Sequence, residues 1–257
     1  MLRRAAVVVV SCGALLAGCG ADVQAENEEI VSNLLEAGVP ADSITAVDEA
    51  VYMGHDTRVD LQASRELLQP GPGSQEHYRS ANLVGTAVTR ICVNPSALFN
   101  SYARLSQGLD MALANYNALG LRITFVRGPA TGCTATINAV TTSGVGYSSG
   151  LPSNGRPYGQ ISVGTGVSAY SGDVAEAVIT HVLGHTVGLL HTDAYDPTIS
   201  CGIGGGTPDN GGGVGGIHIP GTPTTATLGG SIMNSCIPSG TDGEFTSSDR
   251  AALNSLY

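Results

Sequence analysis

The spacing His181-x3-His185-x5-His191 limits what this chain can fold into more than any other feature of it. Successive residues of an α-helix turn by about 100°, so a side chain four positions on lies only about 40° round the axis. A helix through residues 181–185 therefore brings two imidazoles to one face. Gly188 can take a left-handed conformation and end that helix, as glycine does just past a C-terminus. The chain then turns back, and His191 approaches as a third ligand. Three neutral imidazoles suit Zn²⁺ and leave a fourth position open. Three of the six histidines fall in this one stretch, which sets them apart from scattered surface histidines.

The sequence around this motif reads as an exported globular protein. At 257 residues it can bury one core of ordinary size. All its basic residues are arginine, and the formal charge of −10 argues against nucleic acid or an anionic membrane surface as partner. Arg3 and Arg4 precede an apolar run, Ala5 to Ala17, too short to span a bilayer comfortably. Leu16-Ala17-Gly18-Cys19 then resembles the cleavage box of bacterial lipoproteins, in which the cysteine is lipidated and becomes the new N-terminus. The expectation is a signal peptide over residues 1–18 and an exported chain, held at the cell envelope or surface through a lipid on Cys19.

Cys12 would leave with the signal, and Cys92, Cys133, Cys201 and Cys236 would remain in an oxidising compartment. Four cysteines allow three pairings. Cys92–Cys133 and Cys201–Cys236 each close a local loop, worth about 4 kcal/mol apiece by the chain-entropy model. A zinc site built from them is disfavoured because no pair has the CxxC spacing.

Residues 20–28 read as a short acidic tether, followed by helix-like stretches at Ile30–Ala37 and Leu61–Leu68 flanking a strand at Ala50–Met53. The Pro-Gly units of QPGPGS (69–74) suggest a boundary between an N-terminal segment (19–74) and a main domain (75–257). Beyond it, residues 78–94 read as strand and 96–118 as one helix. Leu121–Arg127, Cys133–Thr141 and Gly159–Gly164 read as further strands, with the Gly/Ser-rich stretch to Pro157 as a loop. Ser171 can cap the helix that carries His181 and His185, with Asp173 and Glu176 in its first turns. Residues 202–216 lack both a lysine for a phosphate-cradling loop and the calcium nonapeptide pattern, and read as a surface loop. Thr246 and Asp249 form a capping-box analogue ahead of a terminal helix.

HVLGHTVGLLHTD (181–193) resembles the metzincin signature HExxHxxGxxH, and Ser231-Ile232-Met233 resembles its Met-turn. With SIMNSC (231–236) and GEFTSSD (243–249), the stretch 78–257 looks like the secreted bacterial HEIGH-type zinc metallopeptidases. The resemblance implies an α+β, metzincin-like fold. A twisted, mostly parallel sheet would lie over the zinc helix, with Met233 beneath the metal and a smaller C-terminal part below the cleft. It also implies one catalytic-type zinc and peptide or protein substrates, in a chain read here as a monomer. An extended substrate would add to a sheet edge, with Gly159–Gly164 as the candidate.

The chain departs from that family at one position. The residue after the first histidine is glutamate in the family and Val182 here. At about 100° on the helix it flanks the ligand face, where a glutamate would take a proton from the attacking water. Valine cannot, and general acid–base catalysis is worth about 10²–10⁴-fold. The expectation is a bound metal with weak or absent hydrolysis, recovered in a Val182→Glu variant, or a pseudopeptidase that binds peptides without cutting them. Glu176, about 240° away, cannot easily substitute. Asp193 is expected to orient a ligand imidazole. Asn234 and Ser235 stand where some metzincins carry a tyrosine, which leaves Tyr195 as the candidate for polarising a substrate carbonyl. In Tyr52-Met53-Gly54-His55-Asp56, the aspartate resembles the metal-occupying residue of some metzincin pro-segments, although His55 interrupts the Gly-Asp pair. Asp56 is therefore either a latency ligand or a polar strand end.

Overall fold

The computed structural model describes residues 19–47, 49–68, 78–203 and 216–257. The stretch 1–18 expected as a signal peptide, the Pro-Gly stretch 69–74 expected as a boundary and most of the glycine-rich stretch 202–216 lie outside the described residues. Helix α1 (Cys19–Glu36) is followed by strands β1 (Ile44–Val47), β2 (Ala50–Met53) and β3 (Thr57–Val59) and by helix α2 (Leu61–Leu67). Next come β4 (Tyr78–Arg79), β5 (Arg90–Pro95), α3 (Ala97–Ser101), α4 (Ala103–Ala118), β6 (Thr124–Arg127) and β7 (Ala135–Thr142). The chain continues through β8 (Tyr147–Gly150), β9 (Gln160–Gly164), α5 (Gly172–Thr186), α6 (Thr198–Cys201), β10 (Ile217–His218) and α7 (Ser247–Leu256).

Eight strands form one mixed sheet in the order β1-β2-β3-β8-β9-β7-β5-β6, while β10 and β4 make a separate antiparallel pair. The run β9-β7-β5-β6 is parallel, β8 is antiparallel to β9, and β3 lies parallel to β8. This is the mostly parallel α+β architecture expected. Helices α4 and α5 pack against the sheet around a core that includes Ile91, Leu109, Tyr116, Phe125, Ile137, Ile161, Ile179 and Val182. At Gly108 an added Cβ would come within 2.9 Å of the α5 backbone, so glycine lets the two helices touch closely. A second core joins Ile30, Leu34, Val51, Val59 and Leu67 of the N-terminal segment to Leu151 and Leu190.

Several local expectations change. The acidic stretch 20–28 is helical rather than a tether: α1 reaches back to Cys19, with Gln24 donating to Glu28 one turn on. The strand expected over 78–94 is two short strands. Val84 and Val88 between them are buried, but Gly85 N–H donates to Gly155 O, so this stretch joins no ladder. The helix expected over 96–118 breaks at Tyr102, which adopts φ −91° and ψ 100°. The break turns Phe99 into the core and leaves Leu98 exposed. Part of the stretch read as a loop is β8. Gly159–Gly164 is no sheet edge, because β9 lies between β8 and β7. The expected cap on the zinc helix is present: Ser171 Oγ accepts from Val174 N–H, with Asp173 in the first turn. The Thr246/Asp249 capping box and both expected disulfides are also present.

Candidate metal centre

Helix α5 is buried from Val174 to its end at Thr186, and Gly188 follows at φ +102°. His181 and His185 lie on its inner face with no exposure, and His191 arrives from the returning chain at 8 %. Each helical imidazole has its Nδ1 on a carbonyl: His181 on Ile232 O and His185 on Leu189 O, both at 2.8 Å. A carbonyl only accepts, so each Nδ1 carries the proton and each Nε2 turns a lone pair inward.

These nitrogens converge with one more residue, Asp56, from the turn between β2 and β3. His181 Nε2 lies 3.0 Å from His185 Nε2 and 3.3 Å from His191 Nε2. The Asp56 carboxylate lies 3.0 Å from His181 Nε2, 3.4 Å from His185 Nε2 and 3.2 Å from His191 Nε2. Four ligands at about 2.0–2.1 Å from a central zinc in tetrahedral array sit about 3.3–3.4 Å apart, close to what these atoms show. Lone pairs on His181 and His185 at this separation repel unless a cation lies between them. The donor set, three imidazoles and a carboxylate, fits one zinc ion.

Electrostatics agree. Burial alone would raise the Asp56 carboxyl, but His191 and His185 by charge, and His181 and His185 by hydrogen bonding, hold it well below the usual range. Burial pushes His185 down to about 4; Asp56 opposes the shift, while His181 and His191 add to it. Both groups are therefore in the ligand form at neutral pH.

The C-terminal part fixes this geometry from below. Asp249, the capping-box residue of α7, accepts from Ser231 Oγ and Ile232 N–H. It thus holds the turn whose Ile232 carbonyl orients His181. Met233 is buried, and a Cβ on Gly184, between the two helical ligands, would lie 2.6 Å from its sulfur. The glycine of the HVLGH stretch makes room for the methionine expected beneath the metal. Thr192 N–H donates to Met233 O, and the Cys201–Cys236 disulfide ties the same two segments further on.

Asp193 sits elsewhere than expected. It is fully buried, but its carboxylate accepts from Ser200 Oγ and from Ser235 N–H and Oγ. It fastens the turn after His191 to the Met-turn segment, while backbone carbonyls orient His181 and His185. Tyr195 hydroxyl accepts from Ala226 N–H at 3.0 Å. Among the described residues, Tyr147 of β8 meets a ligand, edge-on to His181 with ring centroids 5.7 Å apart. Burial, then the Asp56 charge, pushes its phenol up. Thr57 Oγ1 donates to Asp56 Oδ1 at 3.2 Å. The sequence carried no clear signal for Tyr147 or Thr57: one follows a glycine-rich turn, the other is an ordinary strand residue. Val182 is fully buried in the core beside the ligand face.

The profile of a family described as dual-action HEIGH metallopeptidases matches residues 51–257, a span that takes in Asp56 as well as the three histidines. No curated protein matches the chain. Among solved structures, one of myroilysin is similar at 16 % identity and a TM-score of 0.42, covering 68 % of this chain and 97 % of that one. A second, also of myroilysin, is similar at 15 % identity and a TM-score of 0.39, covering 84 % and 95 %.

Proposed function

Because the chain belongs to the dual-action HEIGH metallopeptidase family, we propose that it is an exported, lipid-anchored zinc protein that binds peptide segments of secreted or envelope proteins and hydrolyses them weakly or not at all. The observation that carries this reading is Val182 in the place of the proton-accepting glutamate. When bound, zinc polarises a carbonyl and makes a nearby water more acidic. The chain must still hold the proton that the water gives up, and Val182 has no atom for it. Tyr147 lies edge-on to His181, but burial and the Asp56 charge keep its phenol protonated at neutral pH, so it cannot take that proton.

Asp56 supports a second element of the reading, in which residues 19–74 act as a pro-like segment that closes the site. Catalytic zinc sites keep a position for substrate, whereas a site with four protein ligands is closed. Asp56 takes the fourth position, and β3 runs beside β8, where Thr57 pairs with Ser149 and Arg58 with Gly150. An extended peptide joining that strand would have to displace β3. Hydroxamate binding by zinc-loaded Asp56→Ala tests this element. Tighter binding than by the native chain is expected, and unchanged binding removes the idea.

The lipid anchor rests on the Leu16–Cys19 box alone. Labelling of expressed protein with a radiolabelled fatty acid should mark the native chain and not Cys19→Ala; equal labelling of both rejects the anchor. Turnover of a quenched-peptide library by the native chain should be near background, and strong chelator-sensitive turnover would contradict the reading.

A further inference from the structure

Glu176 plays no part at the zinc centre, yet it is 99 % buried, at 1 % relative exposure. One carboxylate oxygen accepts from Asn115 Nδ2 of α4 at 2.7 Å, and the other, Oε2, has no hydrogen-bond partner among the described residues. That oxygen faces Gly243, in the loop ahead of α7. A Cβ at Gly243 would lie 2.7 Å from Oε2 and 3.0 Å from the Asp173 carbonyl oxygen. Both oxygens thus border the small space that the glycine leaves open. Asn115 also reaches Gly243 O at 3.3 Å, which fixes the loop against α4.

The surroundings add negative charge. Asp242 and Glu244 flank Gly243 on the exposed side, and Asp173 lies one turn before Glu176 on α5. Burial first, then Glu244, Asp173 and Asp242, pushes the Glu176 carboxyl up to about 7, against the hydrogen bond from Asn115. An unpaired buried carboxylate oxygen beside three further carboxylates is costly unless a proton or a cation meets it.

We propose that this corner binds a hard divalent cation of the calcium class. Glu176 Oε2 and the Asp173 carbonyl oxygen would hold it from within, and the Asp242 and Glu244 carboxylates from the solvent side. The donors are all oxygens, which suits Ca²⁺ and not the imidazole-seeking zinc of the other centre. Asp242 and Glu244 are exposed; Asp242 Oδ1 accepts from Glu244 N–H at 3.1 Å, which leaves its second oxygen and the Glu244 carboxylate to turn toward the ion. The site ties the first turns of α5, the helix that carries His181 and His185, to the loop that leads into α7. Calcium therefore stabilises the fold without entering the zinc site.

The test is calorimetric titration of the full, zinc-loaded chain with calcium chloride at pH 7.5, together with thermal unfolding. One site is expected, with a dissociation constant between about 10⁻⁵ and 10⁻³ M. Calcium at about a hundred times that constant should raise Tm by about 5–10 °C. Asp242→Asn/Glu244→Gln alters only exposed side chains, so it should fold, keep its zinc and lose at least about tenfold in calcium affinity, one charge-paired contact being worth roughly that much. Glu176→Gln should abolish binding. The proposal is overturned by no heat and no Tm shift at about 10 mM calcium, far above this range. It is equally overturned by an undiminished response in the double variant. Stability that rises on acidification to pH 5 without any calcium response identifies a protonated Glu176 instead, and also overturns it.

Discussion

Replacing Val182 by glutamate should restore hydrolysis only when Asp56 is removed as well. The structure separates two obstacles. Val182 lacks a proton acceptor, a loss of about 10²–10⁴-fold. Asp56 lies 3.0–3.4 Å from all three ligand nitrogens and, in the reading proposed above, holds the ligand position that a substrate carbonyl would need. Val182→Glu alone should therefore stay within about tenfold of the native rate, a change of one pKa-unit size in barrier. Asp56→Ala/Val182→Glu should exceed Asp56→Ala/Val182→Gln by about 10²–10⁴-fold. The glutamine control matters because position 182 has no exposure. Any polar side chain there costs about 1–3 kcal/mol of stability until its atoms are paired, and glutamine shares that cost without accepting a proton. The assay is chelator-sensitive cleavage of a quenched-peptide library, normalised to zinc content. Equal rates for the glutamate and glutamine double variants, with zinc retained, would refute the role assigned to position 182. Full recovery by Val182→Glu alone would refute the role assigned to Asp56.

In calcium-free buffer, the Glu176 carboxyl titrates near 7 when folded against an ordinary 4.5. The folded state then binds the extra proton between those values, so stability should fall as pH rises through this window, by at most about 3 kcal/mol and by less where solvent screens the exposed Asp242 and Glu244. Urea unfolding of native chain minus Glu176→Gln should show that slope, and parallel curves would exclude it. Gly184→Ala would drive a Cβ to 2.6 Å from the Met233 sulfur and should cost about 1–3 kcal/mol. Adding Met233→Ala should recover part of that cost in a double-mutant cycle of thermal melts, and strict additivity would mean the two do not pack together. Asp193→Asn keeps the shape but weakens three charge-assisted bonds to Ser200 and Ser235. It should lose about 1.5–3 kcal/mol and release zinc faster to a chelator, and unchanged release would detach this network from the metal centre.

The parts of the fold legible in sequence were those set by local chemistry. The i, i+4 histidines, the caps at Ser171 and Thr246 and the turn at Gly188 each depend on a few neighbouring residues. Both cysteine pairings followed from loop closure. What escaped depends on distant partners. Strand β8 lies in a Gly/Ser-rich stretch, and its ladder comes from β3 and β9 rather than from side-chain alternation. Tyr102 breaks a helix whose apolar period continues across it, because core packing favours Phe99 over Leu98. Asp56 could be read as a ligand or as a strand end; the pairing of β3 with β8 carries it to His181. Nothing in the composition near Asp193 distinguishes an acceptor of hydroxyl and backbone bonds from an acceptor at an imidazole.

X-ray absorption at the zinc edge of the purified full chain, with metal content measured on the same sample, tests the central claim most directly. One zinc per chain is expected, with three imidazole nitrogens and one carboxylate oxygen at about 2.0–2.1 Å, the oxygen component shifting in Asp56→Ala. A chain with no zinc after loading, or one whose zinc shell is unaltered by loss of Asp56 and His185, would contradict it.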